Sequence, residues 1–175
     1  EKINKLIDYK FENTSLLIES FTHKSISENN YERLEFLGDA VLQLIITKNL
    51  YDTYPDIDEG TLSREKQSIV SKKIISKISL DLKLIDFLIA KNLDLNSSSS
   101  LKNTIAANMI ESLIGAIFLD SNYFICEKIV LNIFSKYLVV KKNIGIKDSK
   151  TLLQEYMQSL NESLPIYTTM HMEGP

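Results

Sequence analysis

Apolar residues along this chain of 175 residues recur mainly at helical spacing, and the polar breaks between the runs carry helix-ending residues. Asn13 or Thr14 can cap a short helix carrying Leu16, Leu17, Ser20 and Phe21. A long helix is expected over 31–51, stopped by Pro55. Its apolar residues, among them Leu34, Phe36, Leu37, Val41 and Ile45, nearly encircle it, which predicts a central buried helix. One further helix is expected after Glu59 and Gly60, carrying Leu62, Ile69, Val70, Ile74, Ile75 and Ile78. The stretch 92–100 ends in four consecutive serines and reads as a surface loop, with Ser100 a candidate cap for the next helix. A second strongly apolar helix is predicted over 101–119 and a third over 123–140. Composition then shifts to Lys, Asn, Gly, Asp and Ser, which places a linker at 141–147. Beyond it the pattern predicts a helix over 151–160 and a strand over 165–170. The expected organisation is an all-α domain over 1–140, the linker, and the opening of a second module over 148–175.

Composition supports the helical reading: only 5 Gly and 3 Pro are too few turn-formers for a sandwich or barrel. Cys126 stands alone, which rules out an intrachain disulfide framework and suits a reducing compartment. No run is long enough for an apolar membrane span; the run from Val41 to Ile46 is interrupted by Gln43 and closed by Lys48. The expected location is the cytoplasm; the chain opens on Glu1 rather than Met, as a trimmed N-terminus would, which keeps a lost targeting segment and an organelle as the alternative. Net charge is −3 and the isoelectric point about 5.5, a poor global signature for a polyanion binder. Affinity for nucleic acid would therefore have to come from local sites.

Candidate chemistry sits on the two most apolar helices. Glu35 and Asp39 are four residues apart, so they differ by about 40° around a helix and lie roughly 6 Å apart along it. Glu32 lies one turn earlier on nearly the same face. Asn108 and Glu111 share a face of the second helix at a spacing of three. A carboxylate beside a dry core must shift its pKa or find a partner, and the basic residues near in sequence are Arg33, Lys48 and Lys102. Oxygen-rich clusters suit hard cations such as Mg²⁺ or Mn²⁺, which can activate water for phosphodiester hydrolysis. Spacing alone leaves this reading level with an ordinary solvated or salt-bridged pair of faces.

The run Glu32-Arg33-Leu34-Glu35-Phe36-Leu37-Gly38-Asp39-Ala40-Val41-Leu42 is similar, almost letter for letter, to the signature of the ribonuclease III family. Three further segments resemble the family in the expected order. They are Thr22-His23-Lys24-Ser25, then Glu59-Gly60-Thr61-Leu62-Ser63, then the stretch from Asn108 through Glu111 and Gly115 to Asp120. The resemblance implies an all-helical endonuclease domain that cleaves double-stranded RNA and leaves 5′-phosphate and 3′-hydroxyl ends. Ribosomal and messenger RNA maturation is the expected setting. It also implies Mg²⁺ as cofactor, with Mn²⁺ substituting, held by Glu35, Asp39, Asn108 and Glu111. Asp39 and Glu111 would be indispensable to catalysis, and Glu32 would support RNA processing beside them. Gly38 would permit close helix packing or substrate approach, and His23 would serve in capping or packing rather than directly in catalysis.

The resemblance further implies a homodimer, to which an apolar surface around Phe36, Leu37 and Val41 would be suited, although the same residues also fit a monomer core. Asn108 departs from the family, whose residue there is commonly Asp; the amide keeps a carbonyl oxygen but removes a charge. Three outcomes stay open: an active natural variant, a weakened enzyme, or a shifted metal preference. The alternative function is a cleavage-deficient binder of double-stranded RNA on the same fold. Finally, the stretch 148–158 with Leu164-Pro165-Ile166-Tyr167 resembles the start of an α/β double-stranded-RNA-binding domain, incomplete here. Gln154 and Glu155 would lie on its RNA-facing helix, reading A-form shape rather than sequence.

Overall fold

The computed structural model describes residues 2–95, 97–138 and 149–167. The chain divides into two compact units, 1–140 and 141–175. In the first, the elements run α1 (Lys2–Ile7), α2 (Thr14–Phe21), α3 (Glu32–Thr53), α4 (Glu59–Ile69), α5 (Lys72–Asp81), a 3-10 turn (Leu84–Phe87), α6 (Ser99–Asp120) and α7 (Tyr123–Phe134). The second unit contributes α8 (Ser149–Ser159). No strand occurs among the described residues, so the all-α expectation holds for the first unit.

The core is built around α3 and α6, which pack on each other along much of their length. From α3 it takes Leu42, Ile45 and Ile46, and from α6 Met109, Ile110, Leu113 and Ile114, all fully buried. The two helices meet glycine to glycine. A Cβ added to Gly38 would run into the Glu111 carbonyl and lie 2.9 Å from the Gly115 nitrogen. One added to Gly115 would run into the Leu34 carbonyl and lie 3.2 Å from the Gly38 nitrogen. Of the two roles expected for Gly38, close helix packing is the one observed.

Polar ties fix α6 against the N-terminal helices. The buried Ser112 hydroxyl donates to the Ser20 carbonyl at 2.7 Å, joining α6 to α2. Asp120, at the far end of α6, accepts from the Tyr9 hydroxyl at 2.6 Å and from the backbone N–H groups of Glu12 and Asn13 at 2.9 and 2.7 Å. These bonds satisfy the turn between α1 and α2, whose helix is capped by Asn13.

Several expectations need correction. The single helix predicted after Gly60 is two helices, α4 and α5, broken at Val70 and Ser71. Ser71 takes an extended backbone and its hydroxyl caps α5 by accepting from the Ile74 N–H. Val70 and Ile74 keep helical spacing across the break, which hides it from a periodicity reading. The cap of α6 is Ser98 rather than Ser100, and α7 ends at Phe134 rather than near 140 as its last turns tighten to Asn132 and Phe134 carbonyls. α3 is central but not wrapped on all sides: Phe36 is 83% exposed and Leu44 56%. Of the strand expected over 165–170, residues 165–167 are irregular, with Ile166 exposed, and no described strand offers them a ladder to join. Residues 168–170 and the linker at 141–147 lie outside the described residues.

The Gly38 contact yields a stability prediction. Gly38→Ala should destabilise the domain by about 3 kcal/mol or more, because backbone rather than a mobile side chain blocks the methyl. Gly60→Ala, whose Cβ would meet only the tips of the Asp58 and Arg64 side chains, should change stability by about 1 kcal/mol or less. Urea unfolding of the two variants beside the parent checks the contrast.

Candidate active site

Because α3 and α6 touch at Gly38 and Gly115, side chains within two turns of the contact are brought together. Glu35 and Asp39 flank Gly38 on α3, and Asn108 and Glu111 precede Gly115 on α6. All four are half-buried. The three carboxylates among them lie within electrostatic reach of one another. Burial, with help from the Asp39 and Glu35 charges, pushes the Glu111 carboxyl up to about 7, against a lowering pull from Lys72. Burial and the Glu32 charge likewise raise Glu35, with Lys72 opposing and Asp39 adding. Carboxylates that repel across a partly dry surface are the expected cost of gathering them without matching cations.

The neighbours of these four side chains were only partly legible in the sequence. The buried Tyr31 has its hydroxyl close enough to the Asn108 amide for the two to interact electrostatically. The Gln43 amide donates to both Asp39 carboxylate oxygens at 3.0 Å. Glu32 pairs with Lys24 at 3.1 Å on the exposed rim. The cation nearest the cluster in effect is Lys72, which spacing did not suggest because it depends on the break at Ser71. An N-cap serine immediately before two lysines was the available signal. Of the basic residues singled out by proximity in sequence, Lys48 instead pairs with Asp52 and Glu127, at 2.7 and 3.5 Å. His23 lies in a tight turn: its Nδ1 accepts from the Ser25 N–H at 3.1 Å and its ring packs edge-on to Tyr31.

As a donor set, three carboxylates and an amide oxygen suit a hard divalent cation. Among the described residues, however, no three His, Cys, Asp or Glu side chains close into a group that could hold a metal ion. Asp39 is turned onto Gln43, so ligation by all of them requires side-chain rotation on an otherwise fixed backbone.

The model of the Ribonuclease-III-like family matches residues 13–138, which contain every one of these side chains. The chain belongs to the ribonuclease III family. Ribonuclease 3 of Shewanella piezotolerans is 40% identical over 173 residues, covering 99% of this chain and 77% of that relative. Ribonuclease 3 of Psychromonas ingrahamii is 38% identical over 175 residues with the same coverage. Among solved structures, the nuclease domain of Campylobacter jejuni ribonuclease III superposes with a TM-score of 0.74 at 35% identity, covering 80% of this chain and 99% of that one. A Dicer from Pichia stipitis shares the fold at a TM-score of 0.59 and 22% identity, over 93% of this chain and 75% of that one. As a member of the ribonuclease III family the chain is an endoribonuclease. No helix among the described residues is long and apolar enough to cross a membrane.

Family membership and the raised Glu111 give a linked prediction on stability. A carboxyl whose pKa rises on folding favours the folded state most when protonated. That contribution is full below the ordinary value of 4.5 and is lost as pH rises through about 7. In metal-free buffer Glu111→Gln should therefore match the parent in stability at pH 4. At pH 8 it should exceed the parent by about 1–2 kcal/mol, a figure discounted for solvent reaching the site. Denaturant titrations at the two pH values check this.

Proposed function

We propose that this chain is a divalent-metal-dependent endoribonuclease that cuts double-stranded RNA and leaves 5′-phosphate and 3′-hydroxyl ends. The observation that carries the proposal is the convergence of Glu35, Asp39 and Glu111 from two helices into one mutually repelling cluster. Such a cluster costs the fold stability and suits a site that works with cations. Glu35, Asp39, Asn108 and Glu111 would hold Mg²⁺, with Mn²⁺ substituting. Bound there, the cation would neutralise the cluster and supply Lewis-acid chemistry at the phosphodiester. The chain's own part is positional. The glycine crossing sets the distance between the carboxylate helices, Tyr31 lies beside Asn108, and Gln43 holds Asp39. Glu32, tethered by Lys24, would support processing from the rim.

The proposed unit is a homodimer. Phe36 stands almost fully exposed beside a hollow of about 740 Å³ lined by Leu16, Leu37 and Leu119, so one face offers both a knob and a recess. A two-fold axis would seat each in the other. Val41, expected on this surface, belongs to the monomer core instead. A solved structure of the C. jejuni nuclease domain is described for flexibility in the region involved in its dimer formation. Gln154, half-buried on α8, and Glu155, whose side chain lies outside the described residues, are proposed to contact RNA from the second unit. Maturation of ribosomal and messenger RNA in the cytoplasm is the setting this activity fits.

Incubation with long duplex RNA, with and without Mg²⁺, tests the activity. Glu111→Ala should lower cleavage by about 100-fold or more while duplex binding persists; retained cutting would sink the site assignment. A parent that binds duplex RNA and never cuts it at any Mg²⁺ concentration would point to the cleavage-deficient alternative, which Asn108 favours. Asn108→Asp should saturate at lower Mg²⁺ than the parent, since a carboxylate adds charge to the ligand set. Phe36→Asp should weaken self-association by about 30-fold or more in sedimentation equilibrium.

A further inference from the structure

Lys72, Lys73 and Lys77 line one wall of an open groove of about 660 Å³ between α5 and the start of α6. Ser99, Ser100 and Asn103 line the other. Asp81 is the one carboxylate there, and none of the three lysines forms an ion pair among the described residues. The chain as a whole carries a net charge of −3, so this positive face runs against its overall balance. Where other lysines stand near carboxylates, as at Lys24 and Lys48, they pair with them. Lys72 and Lys73 also occupy the first turn of α5, the end at which the helix dipole disfavours cations. Lys72 faces the carboxylates of Glu35 and Glu111, but neither packing nor pairing accounts for the placement of Lys73 and Lys77, which are exposed.

The groove adjoins the carboxylate cluster, because Lys72 lines the groove and its charge acts on both Glu35 and Glu111. A surface that leads from a cutting site into a lysine-lined trough fits a continuous polyphosphate chain better than a separate small anion. Lys73 and Lys77 are one helical turn apart, roughly 6 Å along α5, a spacing that lets them address neighbouring phosphates of one strand. Ser99 and Ser100, both exposed, line the same groove and carry further hydroxyl donors.

We infer that this groove seats the phosphodiester backbone of the duplex beside the scissile site, with Lys73 and Lys77 neutralising phosphates and the α6 serines donating to them. The inference rests on the duplex-RNA reading above. Contacts of this kind position RNA without reading its sequence, and each releases a counterion.

The test is duplex-RNA binding by fluorescence anisotropy in EDTA across a salt series, with Lys73→Ala/Lys77→Ala beside the parent and a charge-matched Lys5→Ala/Lys128→Ala control. The groove variant should lower the slope of log K against log salt by about 2, and weaken binding roughly tenfold at 100 mM salt. The control should keep the parental slope. In Mg²⁺, cutting at saturating RNA should be unchanged while KM rises. An unchanged slope in the groove variant, or an equal loss in the control, overturns the inference and leaves the nuclease reading standing. A parent that neither binds nor cuts duplex RNA overturns both. Retention of poly-glutamate by the parent but not the variant, with RNA binding unaffected, would assign the groove to an acidic protein and overturn it as well.

Discussion

The structure depends on one close contact, the crossing of α3 and α6 at Gly38 and Gly115. Removing both side chains lets two backbones approach until each glycine faces the other helix's carbonyl, closer than any Cβ allows. Glycine inside a helix costs about 1 kcal/mol relative to alanine, and here there are two. The return is twofold. The longest apolar helices bury their widest faces on each other, and residues within about one turn of the contact are brought within electrostatic reach across the interface.

That second consequence sets packing against electrostatics. The crossing that gathers Glu35, Asp39 and Glu111 also half-buries them, so the charge of Asp39 raises the cost of ionising Glu35, and both raise that of Glu111. The surrounding groups moderate this only in part. Lys72 lowers two of the carboxyl values, Gln43 occupies both oxygens of Asp39, and Asn108 contributes an amide where a further carboxylate would add repulsion. A fold selected for stability alone would have no use for such a cluster, whose members repel one another.

The same unit separates its surfaces by chemistry. Phe36 and its neighbouring hollow form a leucine-rich face bordered by Glu19, Glu32 and Arg33, the carboxylates mark the helix crossing, and the lysines of α5 collect along a groove with the start of α6. The break between α4 and α5 makes the last of these possible. Had the chain continued as one helix through Val70 and Ser71, α5 would not begin at Lys72, and the cation now acting on Glu35 and Glu111 would have no reason to lie there.

Much of this was legible in the sequence. Helical periodicity located α2, α3 and α6, and the spacing of Glu35 with Asp39 and of Asn108 with Glu111 put each pair on one face, because those relations are local and follow from 3.6 residues per turn. The signature run also carried the family. What the chain could not reveal locally was decided by tertiary structure. The end of α4 and start of α5 turned on a serine cap within an unbroken apolar rhythm. Exposure of Phe36 against burial of Val41 depended on which parts of α3 the other helices cover. Lys72, remote in sequence from every carboxylate it acts on, became their cation through packing. The sequence by itself determined which side chains each helix presents; only the tertiary structure decided which of them meet, since charge interactions fall with distance in space and take no account of distance along the chain.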